Sequence, residues 1–171
     1  MRTRGQWCAG VLAACAAGAF FIAGCGNGEA RAPNPTKPID ERRAIEVIRR
    51  AVKSEGVDPA AGRDEKIAGQ SKSIHIDVGI AGKRYGVAYL TTEDAQELGE
   101  AIPAPNKKDE KLKLVPAGDD GQTRVLLLFQ QNYLYDDLAG EAHEQTMITA
   151  ESALSRDVRD FVTYAKSKKF E

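Results

Sequence analysis

Ser73-Ile74-His75-Ile76-Asp77-Val78-Gly79-Ile80, followed by Ala81-Gly82-Lys83 and then Arg84-Tyr85-Gly86-Val87-Ala88-Tyr89-Leu90, is the stretch that decides the fold class. Ile74, Ile76, Val78 and Ile80 alternate with Ser73, His75, Asp77 and Gly79, the two-residue period of a strand with one buried face. Ala81-Gly82-Lys83 has turn chemistry, and the return brings Tyr85, Val87 and Tyr89 onto one face. The pattern predicts a β-hairpin, and therefore antiparallel pairing.

Moving toward the N-terminus, residues 57–72 contain Asp58-Pro59, Gly62 and Gly69 and read as a long loop with room for one helical turn. Before it, Ile45, Ile48 and Val52 recur at helical spacing with Ala44 and Ala51 beside them. That stripe predicts a helix over 40–55, with Asp40 as N-cap and Gly56 just past its end. On the C-terminal side of the hairpin, Thr91 or Thr92 caps a short helix running to about Ala101, stopped by Pro103 and Pro105. Lys111-Leu112-Lys113-Leu114-Val115 alternates like an edge strand guarded by lysines. Asp119-Asp120-Gly121 is a turn, although its two carboxylates also suit a cation. Arg124–Gln130 is apolar on both faces, the signature of a central, doubly covered strand. Residues 132–145 read as irregular. Leu154, Val158, Phe161, Val162 and Ala165 then mark a final helix over 149–168, with lysines at its C-terminal end, where the helix dipole favours cations. The order is α-ββ-α-ββ-α. It predicts a single small α+β domain over 39–171, with an antiparallel sheet of two hairpins, about four strands, packed with three helices.

The chain N-terminal to this domain has another character. Arg2 and Arg4 precede a nearly uncharged apolar run from Trp7 to Ile22, which ends in Ile22-Ala23-Gly24-Cys25. At ~16 residues the run is short for a membrane-spanning helix, which needs about 20. A basic start, a short apolar centre and small residues before a cleavage point describe an export signal. The segment resembles the signal peptide and lipobox of bacterial lipoproteins. The resemblance covers residues 1–25 only, and residues 39–171 resemble no family. It implies that 1–24 is removed and that Cys25 is lipidated. It also implies a protein of the cell envelope held to a membrane by acyl chains, which bury roughly 0.8 kcal/mol per CH₂. Leu12-Ala13-Ala14-Cys15 fits the same pattern, but with only about eight apolar residues before the cut. Gly26, where an aspartate tends to retain enteric lipoproteins in the inner membrane, points to the outer membrane in a Gram-negative source. Residues 25–38, rich in Pro and Gly, read as the lipidated cysteine and a flexible tether.

Composition narrows the chemistry. The cysteines are Cys8, Cys15 and Cys25, so the expected mature domain has no disulfide, thiolate metal site or cysteine nucleophile. The whole chain carries 24 basic and 25 acidic residues, a balance that gives no case for nucleic acid as a partner. There is no Gly-x-Ser-x-Gly elbow and no phosphate loop. No catalytic residue, cofactor or metal is assigned, and the domain is read as non-enzymatic.

Three patches retain some chemical promise. His75 and Asp77, two apart on a strand, point to one face and can share a proton or a metal; the plain reading is a solvated or covered sheet face. Gln130, Asn132, Tyr133 and Tyr135 can line a polar groove for a sugar or peptide. Asp136, Asp137, His143 and Glu144 offer oxygen and imidazole ligands for a divalent cation or for acid–base hydrolysis. The plain reading of this stretch is a loop, with the tyrosines packed as a continuation of the strand. The basic first helix (Arg42, Arg43, Arg49, Arg50, Lys53) can touch anionic head groups, although Glu41, Glu46 and Glu55 are interleaved. The functional expectation is a lipid-anchored envelope protein that binds an envelope protein partner or serves assembly. The alternatives are a small-ligand module or a metal-dependent hydrolase using 130–144.

Overall fold

A computed structural model describes residues 34–105, 107, 110, 112–136 and 145–168. The first half runs β1 (Thr36–Pro38), α1 (Glu41–Ser54), β2 (Pro59–Ala60), β3 (Arg63–Lys66), β4 (Ser73–Ile76), β5 (Val78–Ile80) and β6 (Tyr85–Leu90). The second half runs α2 (Thr92–Leu98) with a 3₁₀ turn at Gly99–Ala101, β7 (Lys113–Ala117), β8 (Thr123–Phe129), a 3₁₀ turn at Gln130–Asn132, β9 (Leu134–Asp136) and α3 (Met147–Lys168). The class is α+β with three helices, as expected, but the strands are more numerous and differently arranged.

The main sheet has five strands in the order β2-β5-β6-β8-β7. Its centre departs from the expected antiparallel hairpins, because β6 and β8 pair in parallel from Tyr85↔Arg124 to Leu90↔Phe129. The reason is topological. From β6 the chain crosses through α2 to the far edge, lays down β7, and returns as β8 between β7 and β6. The second hairpin, β7–β8, is thus real, but its inner strand enters beside β6 in the same direction. Pro116 lies in β7, where the missing N–H is tolerated at an edge.

The stretch 73–80 is two strands rather than one. At Asp77 the backbone N–H donates to Val87 O (3.0 Å), while the carboxylate accepts the N–H of Tyr89 (2.7 Å). Asp77 and Val78 both stand opposite Val87, the two-against-one arrangement of a β-bulge. The slip reverses the alternation. Ile74 and Ile76 pack in one core, Val78 and Ile80 in the core on the opposite side. β4 leaves the main sheet and pairs with β3 from Arg63↔Ile76 to Lys66↔Ser73. Gly86 makes room for this crossing: a Cβ there would stand 2.5 Å from the Ile76 side chain. The loop expected over 57–72 therefore contains β2 and β3. Composition hid them, because β2 has two residues and β3 (Arg-Asp-Glu-Lys) is wholly charged.

The strands β6 and β8 are buried on both faces, which is why β8 lacks alternation. One face carries Tyr85, Val87, Tyr89, Leu126 and Leu128 and is covered by α1 and α3. Both helices match the expected stripes, with Ala44, Val47, Ile48, Ala51 and Val52 buried on α1 and Ala150, Leu154, Val158, Phe161, Val162 and Ala165 on α3. The two helices run parallel. Arg43 meets Glu151 near their starts, and Thr163 Oγ1 donates to Glu55 near their ends, a constant offset of 108 residues. The opposite face carries Ala88, Leu90, Val125, Leu127 and Phe129, covered by Leu98 and Ile102 beside α2 and by Ile67, Ile74 and Ile76 of the β3–β4 arm. Ile67 bridges to Ala117, tying that arm to the β7 edge.

Thr36–Pro38, read from composition as the end of the tether, is a strand paired with β9 from Thr36↔Asp136 to Pro38↔Leu134. The segment expected to be irregular over 132–145 correspondingly begins with β9. Residues 1–24, Cys25 and the proposed tether up to residue 33 lie outside the described residues. Within the described residues, no helix is long and apolar enough to cross a membrane.

Candidate functional site

The segment following β8 was the richest in polar and aromatic residues, and its parts have separated. Tyr133 is 3% exposed and Tyr135 7%, both in the core beneath α1 and α3. The Tyr133 ring lies 6.4 Å from that of Tyr89, tilted by 33°. Burial, reinforced by the Asp157 carboxylate, pushes the Tyr133 hydroxyl well above its ordinary pKa, so it stays protonated and donates to Asp157 (2.8 Å). Tyr89 is likewise raised by burial and donates to Ile39 O (2.9 Å). The Lys37 ammonium stands 5.3 Å from the Tyr135 ring centre, a cation–π contact across the β1–β9 pair. Tyr135 thus supports the fold instead of lining a groove.

Asp136 is 2% exposed, and its carboxylate accepts the Gln145 N–H (2.8 Å) and the Asn34 amide (3.5 Å). In return the Asp136 N–H donates to Gln145 O (2.8 Å). These bonds join Gln145 and the start of the domain to the end of β9. Asp137, His143 and Glu144 lie outside the described residues. Among the described residues no group of three or more His, Cys, Asp or Glu is placed to hold a metal ion.

Gln130 turns to the other side. Its side-chain oxygen accepts the Thr92 N–H (3.4 Å), and with Gln131 it lines a depression of about 240 Å³ beside α2. Asn132 and Tyr133 instead border a cleft of about 620 Å³ that also takes in Lys107, Glu110, Gln145, Arg156 and Asp157. Its size is that of a small-molecule site. Its lining mixes polar residues, of which Tyr133 and Arg156 are already hydrogen-bonded to Asp157 and Glu110 is paired with Lys113, with apolar Leu112, Leu127 and Ala153. The sequence reading missed Arg156 and Asp157. They lie on the flank of the α3 stripe, next to buried Val158, and only the fold carries that flank to Tyr133.

His75 and Asp77, expected on one face, are parted by the bulge. His75 is exposed and its Nδ1 lies 2.7 Å from Asp64 Oδ1, the residue opposite it on β3. Asp77 is turned into the sheet, and burial raises its carboxyl above the usual range, opposed in part by the Tyr89 N–H. The Asp120 carboxyl is held low by the Gln122 N–H and then by Arg84, so that turn is stabilised from within the chain.

Comparison with protein-family models, with curated proteins and with solved structures finds no match for this chain.

Proposed function

We propose that this chain is an exported lipoprotein, lipid-anchored to the cell envelope through Cys25, whose α+β domain binds an envelope protein partner or serves assembly without catalysing a reaction. One observation carries the reading: Arg2 and Arg4, the apolar run Trp7–Ile22 and the terminal Ile22-Ala23-Gly24-Cys25 stand in the order that export and lipidation require. Gly26 supports the outer membrane as destination if the source is Gram-negative. About eleven residues separate Cys25 from β1, a reach of at most ~40 Å, so a lipid on Cys25 holds the domain close to the membrane.

Expression in a lipoprotein-processing bacterium, palmitate labelling and mass spectrometry of the mature N-terminus test the proposal. The expected species begins at an acylated Cys25, and Cys25→Ser abolishes labelling. An unlabelled chain beginning at Met1 would refute it.

A second reading, a small-ligand module, draws support from the cleft at Asn132, Tyr133 and Asp157. It differs from the first in needing Arg156 and Asn132 for binding of a soluble polar molecule.

A further inference from the structure

The exposed charge of α1 and α3 differs in sign from that of α2. On the helical layer the exposed cations Arg42, Arg49, Arg50, Lys53, Arg156 and Arg159 stand against Glu41, Glu46 and Asp160. On the opposite side α2 and its 3₁₀ extension expose Glu93, Asp94, Glu97 and Glu100 and hold no basic residue. The exposed face of α1 and α3 is thus net positive and α2 itself net negative, although the β3–β4 arm beside α2 exposes Lys66 and Lys72. Arg156 is paired with Asp157 (3.4 Å) and Arg42 reaches Glu46 at 3.9 Å, but the others are less engaged. Arg50 reaches Glu151 only at 3.9 Å, and Arg49 and Arg159 have no partner among the described residues.

The same layer also carries exposed apolar side chains. Ile148 is 77% exposed and Met147 39%, in the first turn of α3. Ile148 borders a groove of about 450 Å³ between α1 and α3 that also presents Arg50 and Arg159. The incoming chain joins the domain beside this edge: Asn34 and the Gln145 N–H share one oxygen of Asp136, and Met147 and Ile148 follow at once. About nine residues separate Asn34 from Cys25, at most ~30 Å of extended chain.

We infer that the α1–α3 face docks on an anionic phospholipid surface, with its arginines at the lipid phosphates, Ile148 and Met147 at the boundary with the acyl chains, and acidic α2 turned away. The inference rests on the lipid-anchor reading for its setting and adds an orientation that a tether alone leaves open. Basic residues near an anionic leaflet attract it additively, an exposed aliphatic side chain adds apolar burial, and salt screens the first contribution but not the second.

The test uses the unlipidated chain 26–171, which contains every described element and both cores. It is sedimented with phosphatidylcholine vesicles with and without phosphatidylglycerol, at low and high salt. Binding is expected only to the anionic vesicles, falling about tenfold at high salt and about tenfold in the variant Arg49→Glu with Arg50→Glu. Ile148→Asp is expected to weaken it further, while Glu93→Gln with Glu97→Gln leaves it unchanged. All these positions are exposed, so circular dichroism and a urea midpoint should report an intact fold. Equal affinity for both vesicle types, indifference to the arginine changes, or saturable binding to an acidic helical peptide without vesicle binding would each overturn the proposal. Because no lipid is attached in this assay, its failure leaves the Cys25 reading untouched, and mass spectrometry of the N-terminus judges that separately.

Discussion

On one face of the sheet, α1 and α3 lie side by side although 108 residues separate the positions that touch. On the other, the seven-residue α2 directly follows β6, which it helps cover, while the β3–β4 arm reaches β8 and, through Ile67 and Ala117, the β7 edge. The chemistry of the two cores differs in step. The helical side contains Tyr85, Tyr89 and Tyr133, and two of their hydroxyls reach acceptors that only this packing supplies, Ile39 O and Asp157. The α2 side is aliphatic apart from Phe129 and needs no polar partner. The helical core thus adds directional hydrogen bonds to its apolar packing, whereas the core on the α2 side is filled by apolar side chains. This asymmetry is open to experiment.

The largest effect is expected on the helical side. Phe161 is 1% exposed and meets the Tyr85 ring edge-on at 5.8 Å. Phe161→Ala should cost about 3–5 kcal/mol in urea denaturation, against about 2 kcal/mol for Leu98→Ala, which is 7% exposed on the α2 side. Equal or reversed losses would break the comparison. Next comes Asp77, at the bulge where the chain passes from one core to the other. Asp77→Ala leaves the buried Tyr89 N–H without its acceptor and should cost about 1–3 kcal/mol. Asp77→Asn keeps an acceptor oxygen and isolates the charge. A carboxyl raised by burial holds its proton more tightly when folded, so its contribution to stability is present at low pH. That contribution is lost as pH rises above about 3.9 through the raised value. Relative to the native chain, the Asn variant should therefore gain stability across that interval and lose that part of the pH dependence. The smallest effect is the α2 cap. Thr91 Oγ1 accepts the Asp94 N–H (3.1 Å) and Asp94 accepts the Thr91 N–H (3.0 Å). Thr91→Ala should cost about 1 kcal/mol, with faster amide exchange confined to residues 92–101.

What could be read from sequence divides along the same line. The stripes of α1 and α3, the capped α2, the Gly82 turn and the doubly buried β8 all follow from periods and caps within a few residues, and each is present. The bulge at Asp77 did not show, because its cause is a hydrogen bond to Tyr89, twelve positions away, while the alternation of Ile74 to Ile80 is locally perfect. The parallel β6–β8 pair did not show because strand direction depends on which side of β6 the chain re-enters after α2. The pairing of β1 with β9 joins Lys-Pro residues of tether-like composition to a partner about a hundred positions away. The candidate site was legible in its residue types but not in their facing. Tyr133 and Tyr135 both became core, Tyr133 also touching the edge of a cleft whose Arg156 and Asp157 come from another element.

The offset between α1 and α3 also sets an order of events in time. During synthesis α1 emerges early and the β5–β6 part of its apolar surface is complete by Leu90, but its partner helix α3 follows only from Met147 onward. Completing the helical core requires closing a loop of about a hundred residues, which slows folding. The helical core is therefore completed in a late step, as Phe161 and its neighbours arrive.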